Sequence, residues 1–338
     1  MNRKKSAART WVTAMGVVAL LAVAAPASAQ DNPYFEEGAT EGSGSEYRVG
    51  YISLGDSIPF VKLVTDNIVE QAAIAGLDLI TCDSQVAVEE ALACAQQLGN
   101  AQVDGVINFQ LFEDSSPEIC AAYGDVPTVA IDIHQSPCEV SFFGADNFNA
   151  GNVAGTAVGE YFAANFDCAY DAVITLETSG AGQVNEDRTL GSIAGFASVC
   201  GEVPEDKWQR LDIGGTTDAA LEQVTNVLPT IPPGGRLVVL SLNDDMALGA
   251  LGAARTAGRE GELFIGAQGA DPTSWPELAC NPQWIADTAY FPERYGRTSV
   301  PAIIDILDGK DVAPLLFTPH QAVAGDNIFD LYDTPACA

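Results

Sequence analysis

Polar side chains stand directly behind several short apolar runs. Leu237 to Leu240 leads through Ser241-Leu242 into Asn243-Asp244-Asp245, and Thr128-Val129-Ala130-Ile131 leads into Asp132 and His134. Asn108 closes the run that begins at Gly105, and Asp56, Ser57 and Phe60 follow the run that ends at Ser53. A carboxylate can accept from two vicinal hydroxyls, an amide both donates and accepts, and an aromatic ring covers a C–H face. Together these groups suit non-covalent capture of a polyhydroxylated molecule. Plainer roles compete: Phe60 can be ordinary core, and the two aspartates after Asn243 can cap a helix and add solubility. Asn243 leaves its strand first and is the better placed to reach a ligand. Asp132 ends an apolar run, so its carboxylate must meet water or a partner.

Chemistry of other kinds finds less support. The stretch from Glu177 to Arg188 is glycine-rich, but it lacks the Gly-Lys-Ser/Thr ending of a phosphate loop and the spacing of a dinucleotide fingerprint. Its alternative is that Arg188 opens a helix and points back into a cleft. The two histidines, His134 and His320, come with no nucleophile elbow and no paired metal motif. His134 follows Asp132 by two, on the same strand face, and reads as a polar pocket rim. No enzyme, cofactor or bound metal is expected.

The elements that must place these groups alternate. Strands are expected over 49–53, 77–81, 105–109 and 128–133, with helices over 61–75, 86–98 and 117–123 between them. The pattern resumes with a helix over 151–164, strands over 172–176, 207–212, 237–240, 262–265 and 284–291, and helices over 217–228 and 295–307. Such alternation implies parallel sheets covered on both faces, with every strand's carboxyl end on one edge, where α/β proteins bind ligands.

The ends and the composition set the compartment. A basic head (Arg3, Lys4, Lys5, Arg9), an apolar body and Ala27-Ser28-Ala29 make a signal peptide over residues 1–29. No cysteine stands at the cleavage site, so no lipid anchor is expected, and the product should be exported and soluble. Residues 30–46 are acidic and rich in Gly and Ser, a flexible leader. The net charge of −31 argues against nucleic acid, which needs Lys and Arg on its phosphates. Eight cysteines, none in the signal, suit disulfides in an oxidising compartment. Eight allow 105 connectivities. Closeness along the chain suggests Cys82–Cys94, Cys120–Cys138, Cys168–Cys200 and Cys280–Cys337.

The run from Asn243 to Leu251 resembles the "NDxMALGAL" segment of type I periplasmic sugar-binding proteins, the ribose- and galactose-binding family that shares its core with the lactose-repressor family. Other pieces fall in the same order. Pro59-Phe60 is similar to the family's ring-stacking loop, Asn108 and Asp132 to its strand-end Asn and diol-binding Asp, Gly144 to Asn147 to its first crossover, and Arg188 to its sugar-clamping Arg. Four positions depart. Val61 replaces a second ring, Ile133 a common Arg, Gln268 a sugar-binding Asp, and Tyr290 a ligand-binding Gln. The resemblance implies an α/β fold of two doubly wound parallel-sheet lobes joined by three crossover strands. The lobes would be 47–146 plus 291–318 and 147–290 plus 319–338. It implies a monomer that captures a sugar or polyol between the lobes and delivers it to an ABC importer's permease; with the strand-end reading of Asp56, Ser57 and His134, the expected ligand-binding residues are Asp56, Ser57, Phe60, Asn108, Asp132, His134, Arg188, Asn243, Gln268 and Tyr290. The alternative partner is a membrane receptor that senses the closed form. A repressor would need a DNA-binding helix-turn-helix ahead of Tyr47, where the signal and acidic leader stand.

Overall fold

The computed structural model describes residues 32–124, 126–334 and 337. The expected signal peptide, Gln30 and Asp31 of the leader, and residues 335, 336 and 338 of the second lobe lie outside the described residues.

The first sheet is built from β1 (Arg48–Ser53), β2 (Asp78–Asp83), β3 (Gly105–Asn108), β4 (Thr128–Ile131), β5 (Glu139–Gly144) and β11 (Leu315–Phe317), in the order β11-β5-β4-β3-β1-β2. Every neighbouring pair in it is parallel. α1 (Pro59–Ala75), α2 (Val88–Ala101), α3 (Ser116–Tyr123) and α9 (Tyr295–Leu307) accompany it. The second sheet is ordered β12-β10-β9-β8-β6-β7, from β6 (Ala172–Glu177), β7 (Trp208–Asp212), β8 (Leu237–Ser241), β9 (Leu263–Gly269), β10 (Trp284–Ala289) and β12 (Gln321–Val323). Only β12 runs antiparallel to its neighbour. α4 (Asn147–Phe166), α5 (Gln183–Cys200), α6 (Thr217–Val227), α7 (Asp244–Thr256), α8 (Trp275–Cys280) and α10 (Ile328–Leu331) belong with it.

Local chemistry explains these elements. β3, β4 and β8 are buried at every position, as parallel strands covered on both faces require. α1 starts with Pro59, whose missing N–H costs nothing at a first helical position, and stops at Gly76 with φ 71°. α4 and α5 pack backbone to backbone through glycine. A Cβ on Gly151 would lie 2.2 Å from the carbonyl oxygen of Arg188, so only glycine lets α5 sit where it does.

Three chain crossings join the lobes, near Ala145–Asp146, Tyr290–Phe291 and Thr318–His320. They are cross-linked: the Thr318 amide donates to the Gly144 carbonyl at 2.9 Å and its hydroxyl to the Tyr290 carbonyl at 2.7 Å. The four disulfides pair as expected, with Cα–Cα distances of 5.5, 5.8, 5.3 and 5.4 Å in chain order.

The leader corrects an expectation. Residues 32–46 have no helix or strand before the body begins, yet they are tied down: Phe35 is buried, and the Ala39 amide donates to Gln71 Oε1 at 2.8 Å. Its aromatic pair, Tyr34-Phe35, supplies the apolar surface that the composition of the whole stretch conceals.

Candidate functional site

Asp132 follows β4 in the left-handed region, φ 58°, and this turn ends the strand at its carboxyl edge. Its Oδ1 accepts from the Ala145 amide at 3.3 Å and the Tyr295 hydroxyl at 3.2 Å. Gly144 makes room, since a Cβ there would stand 2.5 Å from that same oxygen. Only 8% of Asp132 is exposed. Burial pushes its carboxyl up to about 6, against the Arg188 charge and the two hydrogen bonds, which favour the ionised form.

Arg188 belongs to the other lobe. α5 begins at Gln183, so Arg188 lies in its second turn and does not open it as expected. Its Nε donates to Asn147 Oδ1 at 2.7 Å, its Nη1 to the Leu242 carbonyl at 3.2 Å, and the guanidinium lies 5.0 Å from the centre of the Tyr290 ring. Three parts of the second lobe therefore hold one cation whose charge reaches Asp132 of the first.

Around this pair the first lobe contributes an amide cluster. Asn108, fully buried at the end of β3, donates through Nδ2 to Gln135 Oε1 at 3.2 Å, and its Oδ1 is buried with no partner among the described residues. Gln135 Oε1 also accepts from Gln110 Nε2 at 2.5 Å and Ser116 Oγ at 3.0 Å. A buried acceptor without a partner is where a ligand hydroxyl or a water belongs. Asp56 is braced in its loop, Oδ1 accepting from Ser53 Oγ at 2.5 Å and Thr65 Oγ1 at 2.7 Å, while Ser57 beside it is exposed. Phe60 sits in the first turn of α1, edge-on to Tyr290 at 6.3 Å and Tyr295 at 5.8 Å, so it joins a ring cluster between the lobes.

Gln268 and Tyr290, both 1% exposed, are joined by a 3.0 Å hydrogen bond from the tyrosine hydroxyl to Gln268 Oε1. Gln268 Nε2 donates onward to Ser192 Oγ at 3.2 Å, and Ser192 Oγ to the Arg188 carbonyl at 2.8 Å. The two departures from the family pattern thus form a frame under Arg188. Asn243 is the N-cap of α7: Oδ1 accepts from the Met246 amide at 2.9 Å and Nδ2 donates to the Gly215 carbonyl at 2.9 Å. It keeps one N–H beyond the cap.

His134 does not join this group. The turn at Asp132 breaks the alternation that would have put both on one face. His134 is exposed, its Nδ1 2.9 Å from Glu139 and its ring 4.5 Å from that of Phe142. His320 takes a more central place. Its Nε2 accepts from the Asp146 amide at 3.0 Å, its Nδ1 is 3.4 Å from the Ala289 carbonyl, and its ring lies 5.1 Å from Tyr290. It touches all three crossings. Burial pushes its pKa down to about 4, so it is neutral near pH 7. Sequence reading noted it only for the absence of a catalytic or metal motif around it. It also missed Gln135, Tyr295 and Asn147, which act through their neighbours and stand at no strand end.

The second lobe holds a further acidic centre behind this surface. Asp244, Asp271 and Asp287 are all buried. Asp287 Oδ1 accepts from the Ala270 and Thr288 amides at 3.1 and 2.8 Å, Asp244 Oδ2 accepts from the Asp271 amide at 3.4 Å, and Asp244 Oδ1 and Asp287 Oδ2 are buried with no hydrogen-bond partner among the described residues. Among the described residues, no group of His, Cys, Asp or Glu is arranged to hold a metal ion.

Residues 49–311 match the profile of a family described as periplasmic binding protein domain. No curated protein matches the chain. Solved structures do. One is an ABC transporter solute-binding protein from Mycobacterium smegmatis with bound glycerol, TM-score 0.74 at 19% identity, covering 86% of this chain and 99% of that one. Another is a periplasmic solute-binding protein from Actinobacillus succinogenes with bound D-allose, TM-score 0.72 at 16% identity, covering 84% and 100%. A third, from Bacillus halodurans with bound myo-inositol, has TM-score 0.70 at 18% identity, covering 86% and 98%. At these identities the likeness establishes the two-lobed fold.

Proposed function

From the premise that this chain belongs to the periplasmic binding protein family, we propose that it is an extracytoplasmic solute-binding protein that captures a sugar or polyol between its lobes and delivers it to an ABC importer. The observation that carries the reading is that the Arg188 charge of one lobe reaches the buried Asp132 carboxyl of the other, while the first lobe also holds a buried, unpartnered acceptor at the end of β3, Asn108 Oδ1. A carboxylate accepts from two hydroxyls of a diol, a guanidinium donates to an oxygen on the same molecule, and both gain when water leaves. Phe60 supplies an apolar face for the C–H side of such a ring. The solved neighbours with allose, glycerol and myo-inositol support the class of ligand.

Binding would work by population shift. The lobes rotate about the three crossings, and a ligand that touches both favours the closed arrangement by its differential affinity for it. The closed form then presents one surface formed by both lobes to the permease. No helix among the described residues is long and apolar enough to cross a membrane, so delivery needs that membrane partner.

A thermal-shift screen of the oxidised protein, starting after Ala29, tests the reading with monosaccharides, sugar alcohols and inositols. A compound at a hundred times its Kd adds about 2.7 kcal/mol, a shift of several degrees. A flat response across the panel would refute a sugar or polyol cargo.

A further inference from the structure

Tyr34 and Phe35 are neighbours in sequence, yet they enter different lobes. The Phe35 ring is 4% exposed and belongs to the second lobe's core, 5.9 Å from the Phe291 ring and sharing that core with Tyr332. Tyr34 packs on the first lobe's core and donates its hydroxyl to Asp305 of α9 at 3.0 Å. The anchoring on the first lobe continues on either side. Asn32 Nδ2 donates to Thr298 Oγ1 at 3.0 Å and to the Phe317 carbonyl, at the third crossing, at 3.3 Å. Arg297 donates to the Glu36 carbonyl, and Gln71 of α1 accepts from the Ala39 amide.

The second crossing is shaped to receive the phenylalanine. Phe291 adopts φ 57°, a left-handed backbone that is costly for an aromatic residue and persists only where packing holds it. The Arg294 guanidinium lies over both rings, 5.5 Å from Phe35 and 5.1 Å from Phe291.

We propose that residues 32–39 form a hinge strap, a fourth and non-covalent tie beside the three crossings, that holds the lobes near the angle seen here and resists their opening. The reason is slack. Successive Cα atoms are 3.80 Å apart, so two pins on adjacent residues have little slack, and being non-covalent side-chain contacts off the three crossings they strain as the lobes rotate apart. Opening loosens one pin: Phe35 in its apolar core, or the hydrogen bonds of Tyr34 and Asn32. The strap therefore sets the open–closed ratio that a ligand works against, and with it the apparent affinity.

The test reads lobe angle without any ligand. Spin labels on non-canonical residues at Val69 and Leu221, exposed on α1 and α6, report the inter-lobe distance in the oxidised protein. One variant, Phe35→Ala, draws the second-lobe pin. The other, Asn32→Ala with Tyr34→Phe, draws the first-lobe pin. Each should broaden the distance distribution and move its mean outward, and combining them should add little, because a tie cut once is cut. A distribution unchanged by the Asn32/Tyr34 variant overturns the strap even if Phe35→Ala fails to fold. Fully additive shifts overturn it as well, since they would mark two separate local effects.

Discussion

Asp132, just past β4 of the first lobe, and Asp287, in β10 of the second, are both buried carboxyls, the first accepting one backbone N–H and the second two. They differ in what lies opposite. Asp132 faces Arg188, so its charge can persist in a buried place and remain available to a ligand. Asp287 faces Asp244 and Asp271, with no cation on it. Burial and the neighbouring carboxylates raise Asp244 well above the ordinary range. One carboxyl has a cation within reach of its charge; the other has only further carboxylates. A buried carboxylate is thus informative about function only once its partner is known.

Removing the cation should break the contrast most severely. Arg188→Ala leaves Asp132 buried without its counter-charge and strips the cleft of its second-lobe donor. Ligand affinity should fall more than about a hundred-fold, about 2.7 kcal/mol, in a calorimetric titration with a compound that shifts the melting point. Affinity within tenfold of the parent would show that the ligand does not use this pair.

The same substitution at the two carboxyls should then give opposite results. Asp132→Asn should lose binding with little change in the melting temperature of the empty protein. Asp287→Asn should leave binding intact and stabilise the protein near pH 7.5 by about 1–2 kcal/mol. Its oxygen still accepts from Ala270 and Thr288, and its new N–H satisfies an ionised Asp244. A destabilised Asp287→Asn would mean that the two buried carboxyls together are net favourable.

Titration sharpens the comparison through its sign. Asp132, Asp244 and Asp287 have folded pKa values raised above the unfolded value near 3.9, so the folded state binds extra protons above about pH 4. Their contribution to stability is therefore largest at low pH and falls as pH rises, through about 6 for Asp132 and on toward neutrality for the coupled pair. Glu262 and Glu277, held below the usual range by Arg259 and Arg255, act in reverse: their contribution is lost only as pH falls below about 4. Melting temperature against pH should peak in mildly acidic buffer, and Asp287→Asn should flatten its alkaline limb. Ligand affinity should move the other way, rising as pH passes 6 and Asp132 ionises. A melting profile that climbs steadily to pH 8 would contradict the raised values. Tyr290→Phe should have a smaller effect, about 1 kcal/mol in apo stability, from a buried Gln268 oxygen left without its donor.

Much of this architecture was legible as pattern. Strands buried on both faces read as apolar runs, and the groups just past them, Asn108, Asp132 and Asn243, were found by position alone. β5 was not, because Glu139 and Ser141 interrupt its apolar run, and α8 is too short to show a period. The strap was hidden by averaging, two aromatic residues within a stretch that is otherwise acidic and small. Gln268 and Tyr290 were singled out by the resemblance, but spacing cannot reveal that they bond each other and brace Arg188. The coupling between the buried carboxyls of Asp244 and Asp287 is likewise a property of two residues 43 positions apart, brought together only by folding.

His134 gives the smallest expected effect and the cleanest check on how strand ends are read. Alternation along an extended chain puts residues 132 and 134 on one face, and a histidine two residues past an aspartate proposed to bind ligand invites a role at the site. The backbone denies the premise, since β4 stops at Ile131 and Asp132 turns into the left-handed region. His134 instead reaches Glu139 on the exposed side, an ion pair of the kind that contributes less than about 1 kcal/mol. His134→Ala should therefore leave ligand affinity within twofold and the melting temperature nearly unchanged, while Asp132→Asn two residues earlier abolishes binding. A tenfold loss of affinity in His134→Ala would place the imidazole in the cleft and require the chain beyond Asp132 to run differently.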